Sequence, residues 1–308
     1  ASQQSTLTTN TWYNYTAPRF TWPEAEATNG ASDGSGGSAV EGYYLYLGTD
    51  SNANPAITSG IINPGSAVQF QTSNIFTLSQ SMSSGQTYYF RVKTRDNAQN
   101  IQGTVWAAFI YKFDNTAPTN PASVNVNPAG YTANDSYTFT WTAGGDSDSG
   151  LLKYQYRTGG DDANSWTDGN PLLATTIALP NANHNQGKYQ SGTNIFYLRT
   201  IDIAGNASSP ITANYYFSGD APTPPQNLVV TPSSNTTNSY TADWDAPSVY
   251  AGDIAKIKYR YSVNVLPTAN NTASSFTIGT TSVGPAALAS QQGTNTFYVV
   301  AEDEAGNV

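Results

Sequence analysis

Apolar and polar residues alternate with a period of two along much of the chain. In residues 256–261, Ile257, Tyr259 and Tyr261 alternate with basic residues, and residues 196–200 show a similar alternation. This period places successive side chains on opposite faces of a strand, and one polar face is typical of antiparallel sheets. The pattern predicts short strands separated by turn-rich spacers, and no segment has the pattern of an amphipathic helix of useful length.

Three marks recur along the chain in the same order, and each returns after roughly 100–120 residues, a common domain size. The first mark is a strand that ends in tryptophan, the second is a Tyr-x-Tyr strand, and the third is an Asp-x-Ala-x-Asn turn. They fall at Trp22, Trp141 and Trp244; at Tyr44/Tyr46, Tyr154/Tyr156 and Tyr259/Tyr261; and at residues 96–100, 202–206 and 303–307. The sequence therefore predicts tandem copies of one module, with the tryptophans and Tyr44, Tyr154 and Tyr259 in its core.

Linkers with an Ala-Pro pair set the predicted boundaries, because proline suits the entry to an edge strand. We expect an N-terminal strand in residues 1–16 and then β-sandwiches over residues 17–114, 115–219 and 220–308, called below the first, second and third repeat. The predicted fold is thus all-β, with three tandem antiparallel β-sandwich domains in a linear array. The boundaries between the repeats are called the first and second junction.

Composition narrows the classes of function. The formal net charge is −9, and only 11% of the residues are charged, against about 25% in typical proteins. Aromatic residues make up 12%, which is too much core material for a disordered chain. The acidic balance argues against nucleic acid as a partner, and no apolar run reaches the roughly 20 residues of a transmembrane helix. The absence of cysteine and the Thr, Asn and Ser content indicate an extracellular or cell-surface bacterial protein.

Two segments have the pattern of a known family of β-sandwiches. One is Ala-Pro-Thr-Pro-Pro-Gln-Asn-Leu-Val-Val at residues 221–230, before the strand of Trp244, and the other is residues 85–92. On these segments the chain resembles tandem fibronectin type III-like and bacterial immunoglobulin-like surface repeats. The resemblance implies a tyrosine corner at Tyr88, whose hydroxyl bonds back to the backbone, whereas Asn194 and Asn295 stand at that position in the other repeats.

The sequence offers no recognisable catalytic constellation. His184 is the single histidine, and it lies in a polar stretch where a solvated side chain is the ordinary role. There is no Gly-x-Ser-x-Gly elbow, phosphate loop or dinucleotide fingerprint. We therefore expect a protein that is not an enzyme and that has no cofactor other than a metal ion.

Acidic residues near the predicted junctions make calcium the metal to consider, because calcium takes several hard oxygens from carboxylates and carbonyls. The resemblance implies that two loops face the preceding domain: the loop after the strand that ends in tryptophan, and the loop that contains the Asp-x-Ala-x-Asn turn. The alternative is that Asp202 and Asp303 cap tight turns and the other carboxylates are solvated. The candidate calcium ligands are Asp114, Asp146, Asp148 and Asp202 at the first junction, and Asp220, Asp253 and Asp303 at the second.

One face of the first repeat is predicted to be apolar on its outer side. Tyr43, Leu45 and Leu47 fall on the outward register, with Tyr89 outward on the partner strand. An exposed apolar face of this size indicates that something covers it. Either the extra residues at 48–82 fold over it or another subunit does, and the sequence favours neither.

The two ends of the sequence suggest how copies could join. The third repeat shows no final strand after its Asp-x-Ala-x-Asn turn, and residues 5–15 resemble the final strands of the other repeats. One hypothesis is that Leu7, Trp12, Tyr13 and Tyr15 belong to a strand that completes the third repeat of the next copy, which would build a filament. The alternative is a longer array, in which these residues finish a preceding repeat or pair within the first one.

Two functions therefore stay open. The leading one is a non-enzymatic structural protein of a bacterial cell surface, used as a stalk, surface layer or filament with other copies of itself as partners. The rival is a carbohydrate-binding or adhesive module of a larger secreted protein, with aromatic residues as platforms for a cell-surface glycan. Binding of glycans that is lost on Tyr43→Ala would favour the rival.

Overall fold

The computed structural model describes residues 6–62, 69–159, 164–179, 192–250, 254–268 and 275–308. Within these ranges the regular structure is β-strand apart from one short 3-10 turn, Ile254–Lys256, and the predicted all-β class is confirmed. No helix in the described ranges is long and apolar enough to cross a membrane. His184 and Asp253 lie outside the described residues.

Seven strands build the first repeat. They are β1 (Thr11–Tyr13), β2 (Arg19–Thr21), β3 (Val40–Gly48), β4 (Gln69–Gln71), β5 (Ile75–Thr77), β6 (Gln86–Asp96) and β7 (Trp106–Phe113). One sheet has the order β1-β7-β6-β3-β4, and the second consists of β2 and β5. The long strands β3, β6 and β7 pair antiparallel, as the alternating pattern predicts.

The second and third repeats each divide into two sheets. Their strands are β8 (Val124–Asn127), β9 (Tyr137–Trp141), β10 (Leu151–Thr158), β11 (Thr167–Asp168), β12 (Thr176–Leu179), β13 (Gly192–Asp202) and β14 (Ile211–Phe217), followed by β15 (Gln226–Thr231), β16 (Tyr240–Asp245), β17 (Lys258–Val263), β18 (Ser275–Ile278), β19 (Ser282–Ala286) and β20 (Phe297–Glu302). The sheet orders are β12-β9-β8 and β11-β10-β13-β14, then β15-β16-β19 and β18-β17-β20. Each of these two repeats therefore has the two-sheet arrangement of an antiparallel β-sandwich.

Contacts between residues divide the chain into two compact units. The first contains Ala1–Asn120, Gly144–Tyr154 and Arg199–Ser209, and the second contains Pro121–Ala143, Gln155–Leu198 and Pro210–Val308. Two short segments of the second repeat therefore cluster with the first repeat. This division does not test the predicted boundaries of the three repeats, which stay a prediction.

The recurring aromatic residues form the core. Trp22, Trp141 and Trp244 are all buried, and so are Tyr154 and Tyr259. Stacked rings fill the space between the sheets in the first repeat, where the centroids of Phe20 and Phe90 lie 4.5 Å apart. The same stacking occurs in the second repeat between Phe139 and Phe196, at 4.0 Å.

Tyr88 makes the bonds that the family resemblance implies. Its hydroxyl accepts the backbone N–H of Ser83 at 2.8 Å and donates to the carbonyl of the same residue at 3.2 Å. Tyr88 is buried, whereas its neighbour Tyr89 is half-buried on the opposite face of β6. Tyr89 is therefore on the outer face, in the predicted orientation.

The predicted outward position of Tyr43, Leu45 and Leu47 is wrong. All three are buried in the core of the first repeat, and the ring of Tyr43 meets that of Trp22 edge-on at 5.2 Å. The residues that point outward are Tyr44, which was expected in the core, and Tyr46. Tyrosine and leucine occupy both faces of this strand, so the alternation does not show which face is buried. The pairing of β3 with β6 is also irregular between Val40 and Gly42.

The outer face of β3 is covered by the same chain. The hydroxyl of Tyr46 accepts the N–H of Asp50 at 3.0 Å, and Tyr46 is only 2% exposed. Gly60 lies so close that a Cβ there would meet the Tyr46 ring at 2.8 Å. Strand β4 adds Phe70, whose ring lies 4.9 Å from that of Tyr44. The extra residues of the first repeat thus cover this face. The sequence had left open whether these residues or another subunit would do so.

The N-terminal segment pairs with the first repeat of its own chain. Strand β1 runs parallel to β7, with Trp12 opposite Lys112. Tyr13 stacks on Tyr15 at 5.4 Å and on Tyr111 at 5.6 Å, and Leu7 packs against the core. This placement is one of the two alternatives to strand donation that the sequence allows.

Candidate metal centre

Three carboxylates meet at the first junction. Asp114 directly follows β7, Asp146 lies in the loop between β9 and β10, and Asp202 is the last residue of β13. One carboxylate oxygen from each residue lies within 4.8 Å of the other two. All three residues belong to the first compact unit, so one body holds the whole group, called below the acidic cluster.

The turn after β13 fixes the side chain of Asp202. Its Oδ1 accepts the backbone N–H of Asn206 at 2.7 Å, and its Oδ2 accepts the Nδ2–H of the same residue at 2.8 Å. Gly205 closes the turn with a φ of 92°, a left-handed conformation that glycine adopts without strain. Asp202 therefore has the turn-capping role that was considered as the alternative to metal binding, and it holds that role beside two other carboxylates.

Asp114 is held by three hydrogen bonds from its own neighbourhood. Its Oδ1 accepts the hydroxyl of Ser84 at 3.1 Å and the N–H of Thr116 at 2.9 Å, and its Oδ2 accepts the N–H of Ser149 at 3.1 Å. These donors are neutral, so they orient the carboxylate without cancelling its charge. Asp114 has no measurable exposure to solvent.

Asp146 has one oxygen in use and one without a partner. Its Oδ2 accepts the N–H of Gly150 at 2.6 Å and that of Asp148 at 3.2 Å. Its Oδ1 is buried and has no hydrogen-bond partner among the described residues. A buried carboxylate oxygen with no donor carries a desolvation cost that a bound cation would remove.

The electrostatics of the acidic cluster are unfavourable without a counter-charge. Burial, together with the nearby charge of Asp114, raises the pKa of Asp202 above its ordinary value. Within the described residues, neither of these carboxylates nor Asp146 forms an ion pair with lysine or arginine. Hard oxygens from carboxylates are the ligands that calcium prefers, and it accepts water for the remainder of its six to eight positions. The donor set therefore fits calcium.

The second junction has the same arrangement of strand end and turn with one carboxylate instead of two. Ser218 follows β14 as Asp114 follows β7, and its hydroxyl donates to Oδ2 of Asp303 at 2.7 Å. Asp303 otherwise repeats the bonds of Asp202, because its Oδ1 accepts the N–H of Asn307 at 2.8 Å. A hydroxyl donor thus stands where the first junction has a second carboxylate.

The remaining candidate ligands lie outside the acidic cluster. The carboxylate of Asp148 sits against Gly85, where a Cβ would meet its Oδ1 at 2.7 Å. Asp220 is exposed, and Asp303 is satisfied by Ser218 and the turn. Asp253 falls outside the described residues. Metal binding at the second junction therefore has no support from the described side chains.

Sequence reasoning missed the residues that distinguish the two junctions. Ser218 and Asp114 occupy the same position, one residue after a final phenylalanine and three residues before an Ala-Pro pair. Comparison of these two segments would have shown that only one junction carries the additional carboxylate. Ser84 and Ser149, which orient Asp114, carry no signal in the sequence because serine is frequent throughout.

Comparisons with known proteins give two distant structural similarities. No protein-family model matches the chain, and no curated protein matches it. Among solved structures, it is similar to fibronectin(III)-like modules of CbhA from Clostridium thermocellum, with 10% identity, a TM-score of 0.37, and coverage of 68% of this chain and 90% of that one. It is also similar to the FN1–FN3 domains of chicken CNTN1, with 15% identity, a TM-score of 0.29, and coverage of 96% and 91%.

Proposed function

We propose that this chain is a non-enzymatic structural segment of a bacterial cell-surface protein, forming part of a stalk, surface layer or filament, and that calcium secures its first junction. Tandem β-sandwiches joined by short linkers suit such a role, because each module has its own core and few flexible residues separate it from the next. Aromatic residues fill those cores, so few remain as evident ligand platforms.

The acidic cluster is the observation that carries the calcium part of the proposal. Asp114 and Asp202 are fully buried and close together, and burial and the charge of Asp114 raise the pKa of Asp202. The second junction places Ser218 in the equivalent position and needs no cation there. The difference indicates that the charge of Asp114 serves a purpose beyond packing.

The three ligands belong to separate parts of the chain. Asp114 is in the linker, Asp146 in the β9–β10 loop and Asp202 in the turn after β13, so a bound ion would tie all three together. An ion that binds only the folded arrangement stabilises it by about 2.7 kcal/mol at a free concentration one hundred times the dissociation constant. Extracellular modules bind calcium at roughly 10⁻⁴–10⁻³ M, which matches the proposed location outside the cell.

Calorimetric titration of the whole chain with calcium tests the proposal. We expect one site in the wild type, and none in Asp146→Asn, which removes the charge of the unpartnered oxygen and keeps the acceptor for Gly150. Asp148→Asn is the matched control, because it makes the same change in the same loop and lies outside the acidic cluster. Absence of binding in the wild type, or equal loss in both variants, would contradict the calcium site.

The rival function gains no support from the residue chosen to test it. Tyr43 is 2% exposed in the core of the first repeat. A buried ring cannot stack on a ligand without unfolding of the sandwich. Substitution of Tyr43 by alanine would therefore report on the stability of the sandwich and not on stacking of a glycan.

A further inference from the structure

A pocket of about 330 Å³ opens beside the core tryptophan of the first repeat. Trp22 and Tyr43, both buried, line its inner part, and Trp106, which is 48% exposed, lines its outer part. Every lining residue lies between positions 22 and 106, so the pocket belongs to the interior of one repeat and to the first compact unit. Pockets of this size hold small ligands, and we call this one the Trp106 pocket.

Two buried polar atoms in the wall of the Trp106 pocket lack a hydrogen-bond partner among the described residues. They are Nε1 of Trp22 and the hydroxyl oxygen of Tyr43. Burial raises the pKa of Tyr43, and the nearby indole of Trp22 counters part of this rise, but the two groups do not reach hydrogen-bond geometry. Buried polar groups without partners carry a desolvation cost that a polar ligand would remove.

Uncharged polar side chains complete the wall of the Trp106 pocket. Thr94 on β6 and Gln102 after it line the pocket, and the hydroxyl of Thr94 donates to Oε1 of Gln102 at 3.2 Å. Asn29 lines it from the loop between β2 and β3. No acidic or basic side chain is among the described residues of the lining. The pocket thus combines aromatic rings with neutral donors and acceptors, which suits a neutral polar ligand.

The loop that carries Asn29 is held in place by its own hydrogen bonds. The carboxylate of Glu26 accepts the hydroxyl of Ser32 at 2.6 Å and the backbone N–H of Asp33 at 3.1 Å. The backbone N–H of Glu26 donates to the carbonyl of Ala31 at 2.7 Å. A wall that is already ordered loses little conformational freedom when a ligand binds.

The second repeat fills the corresponding position with a side chain of its own. Thr200 and Ser208 correspond to Thr94 and Gln102, because in each pair the backbone N–H of the second residue donates to the carbonyl of the first at 3.0 Å. Oδ1 of Asn120 accepts the hydroxyls of Thr200 and Ser208 at 3.1 and 2.6 Å, and both residues are buried. In the first repeat Thr94 is half-buried and Gln102 is exposed.

The internal spacing of the sequence explains this difference. In the second repeat 22 residues separate Pro118 from Trp141, and they supply Asn120 and β8. In the first repeat only three residues separate Pro18 from Trp22. This part of the first repeat therefore has no room for a segment equivalent to the one that carries Asn120, and the pocket stays open.

We propose that the Trp106 pocket binds a small neutral sugar. A sugar ring has an apolar face that can stack on an exposed aromatic ring such as that of Trp106. Its hydroxyls can accept the N–H of Trp22 and can both donate to and accept from the hydroxyl of Tyr43, which contributes its polar edge and not its ring face. The proposal adds a binding function to the structural role and depends neither on that role nor on calcium.

An NMR titration of the whole chain tests the proposal, because each of the six tryptophans has one indole N–H signal. The probes are the methyl glycosides of glucose, galactose, mannose and N-acetylglucosamine. We expect at least one of them to shift the signals of Trp22 and Trp106 in a saturable way while the signal of Trp244 stays in place. No saturable shift with any of these probes would overturn the proposal.

Two tryptophan variants locate the site. Trp106→Ala removes the stacking ring and should raise the dissociation constant of the bound probe by about tenfold. Trp12→Ala is the matched control, because it removes a half-buried tryptophan of the same repeat that does not line the pocket, and it should leave the constant unchanged. Unchanged affinity in Trp106→Ala, or equal weakening in both variants, would contradict the site. Calcium binding in the calorimeter should be the same in both variants, so failure of the sugar site leaves the calcium-secured junction intact.

Discussion

At the scale of residues, the position directly after the final strand differs between the two junctions. Asp114 places a buried carboxylate beside Asp202, and Ser218 places a hydroxyl beside Asp303. The hydroxyl satisfies its neighbour by donating a hydrogen bond, whereas the carboxylate can only accept. The same turn therefore meets a hydroxyl donor in one place and a second carboxylate in the other, where the proposed cation would supply positive charge.

Asp202 and Asp96 cap equivalent turns, and the stability that each contributes should change with pH in opposite directions. Burial raises the pKa of Asp202, so the folded chain holds its proton more tightly than the unfolded chain does. The hydrogen bond from Asn100 lowers the pKa of Asp96, so the folded chain holds that proton more weakly. With chelator present, the contribution of Asp202 should grow as pH falls from above its raised pKa towards 3.8 and stay constant below.

The contribution of Asp96 should be constant above 3.8 and disappear as pH falls through its lowered pKa. Unfolding free energy against pH, taken as the difference between the wild type and Asp202→Asn or Asp96→Asn, measures both trends. Two differences that slope in the same direction would refute the assignment. Chelator keeps metal ions out of the comparison, and both residues cap equivalent turns.

Trp244 tests the core assignment in the third repeat. It is 4% exposed and its ring lies 5.6 Å from that of Tyr259, so Trp244→Ala should cost about 3–5 kcal/mol of unfolding free energy. Trp106→Ala is the control, because Trp106 is 48% exposed and should cost much less. Urea unfolding gives both values, and a cost below about 1 kcal/mol at Trp244 would show that it is not a core residue.

At the scale of elements, β3 shows where sequence patterns stop being informative. Tyrosine and leucine fill both faces between Tyr43 and Leu47, so alternation cannot tell inside from outside. The correct register follows from the edge contact of Tyr43 with Trp22 and from the irregular pairing near Gly42. Trp141 and Trp244, by contrast, each have a polar neighbour on either side, and their burial agrees with the alternating pattern.

The corrected register can be checked with one pair of leucines. Leu45 is fully buried, so Leu45→Ala should cost about 2–5 kcal/mol, whereas Leu152, at 39% exposed on β10, should cost less than about 0.5 kcal/mol. Urea unfolding of the two variants provides the comparison. Equal costs would mean that Leu45 faces outward after all.

At the scale of the molecule, sequence repetition was more informative than individual residues. The recurring tryptophan and Asp-x-Ala-x-Asn marks were sufficient to predict tandem all-β sandwiches, because each occupies the same place in every repeat. The tyrosine mark is less constant, since Tyr44 faces outward in the first repeat whereas Tyr154 and Tyr259 are buried. The sequence could not predict which residues cover the outer face of β3, since this depends on how residues 50–62 fold back on Tyr46. The sequence could name candidate ligands for the acidic cluster, but it could not choose Asp146 over Asp148, because the two look equivalent until the loop geometry is known.

Thermal unfolding of the wild type and Asp146→Asn, each with calcium and with chelator, tests the calcium-secured junction most directly. Calcium should stabilise the wild type by about 2.7 kcal/mol at one hundred times its dissociation constant. Asp146→Asn should be more stable than the wild type in chelator, because it removes one like charge, and less stable in calcium, because a ligand is lost. If the order of the two proteins is the same in both conditions, the acidic cluster is not a calcium site.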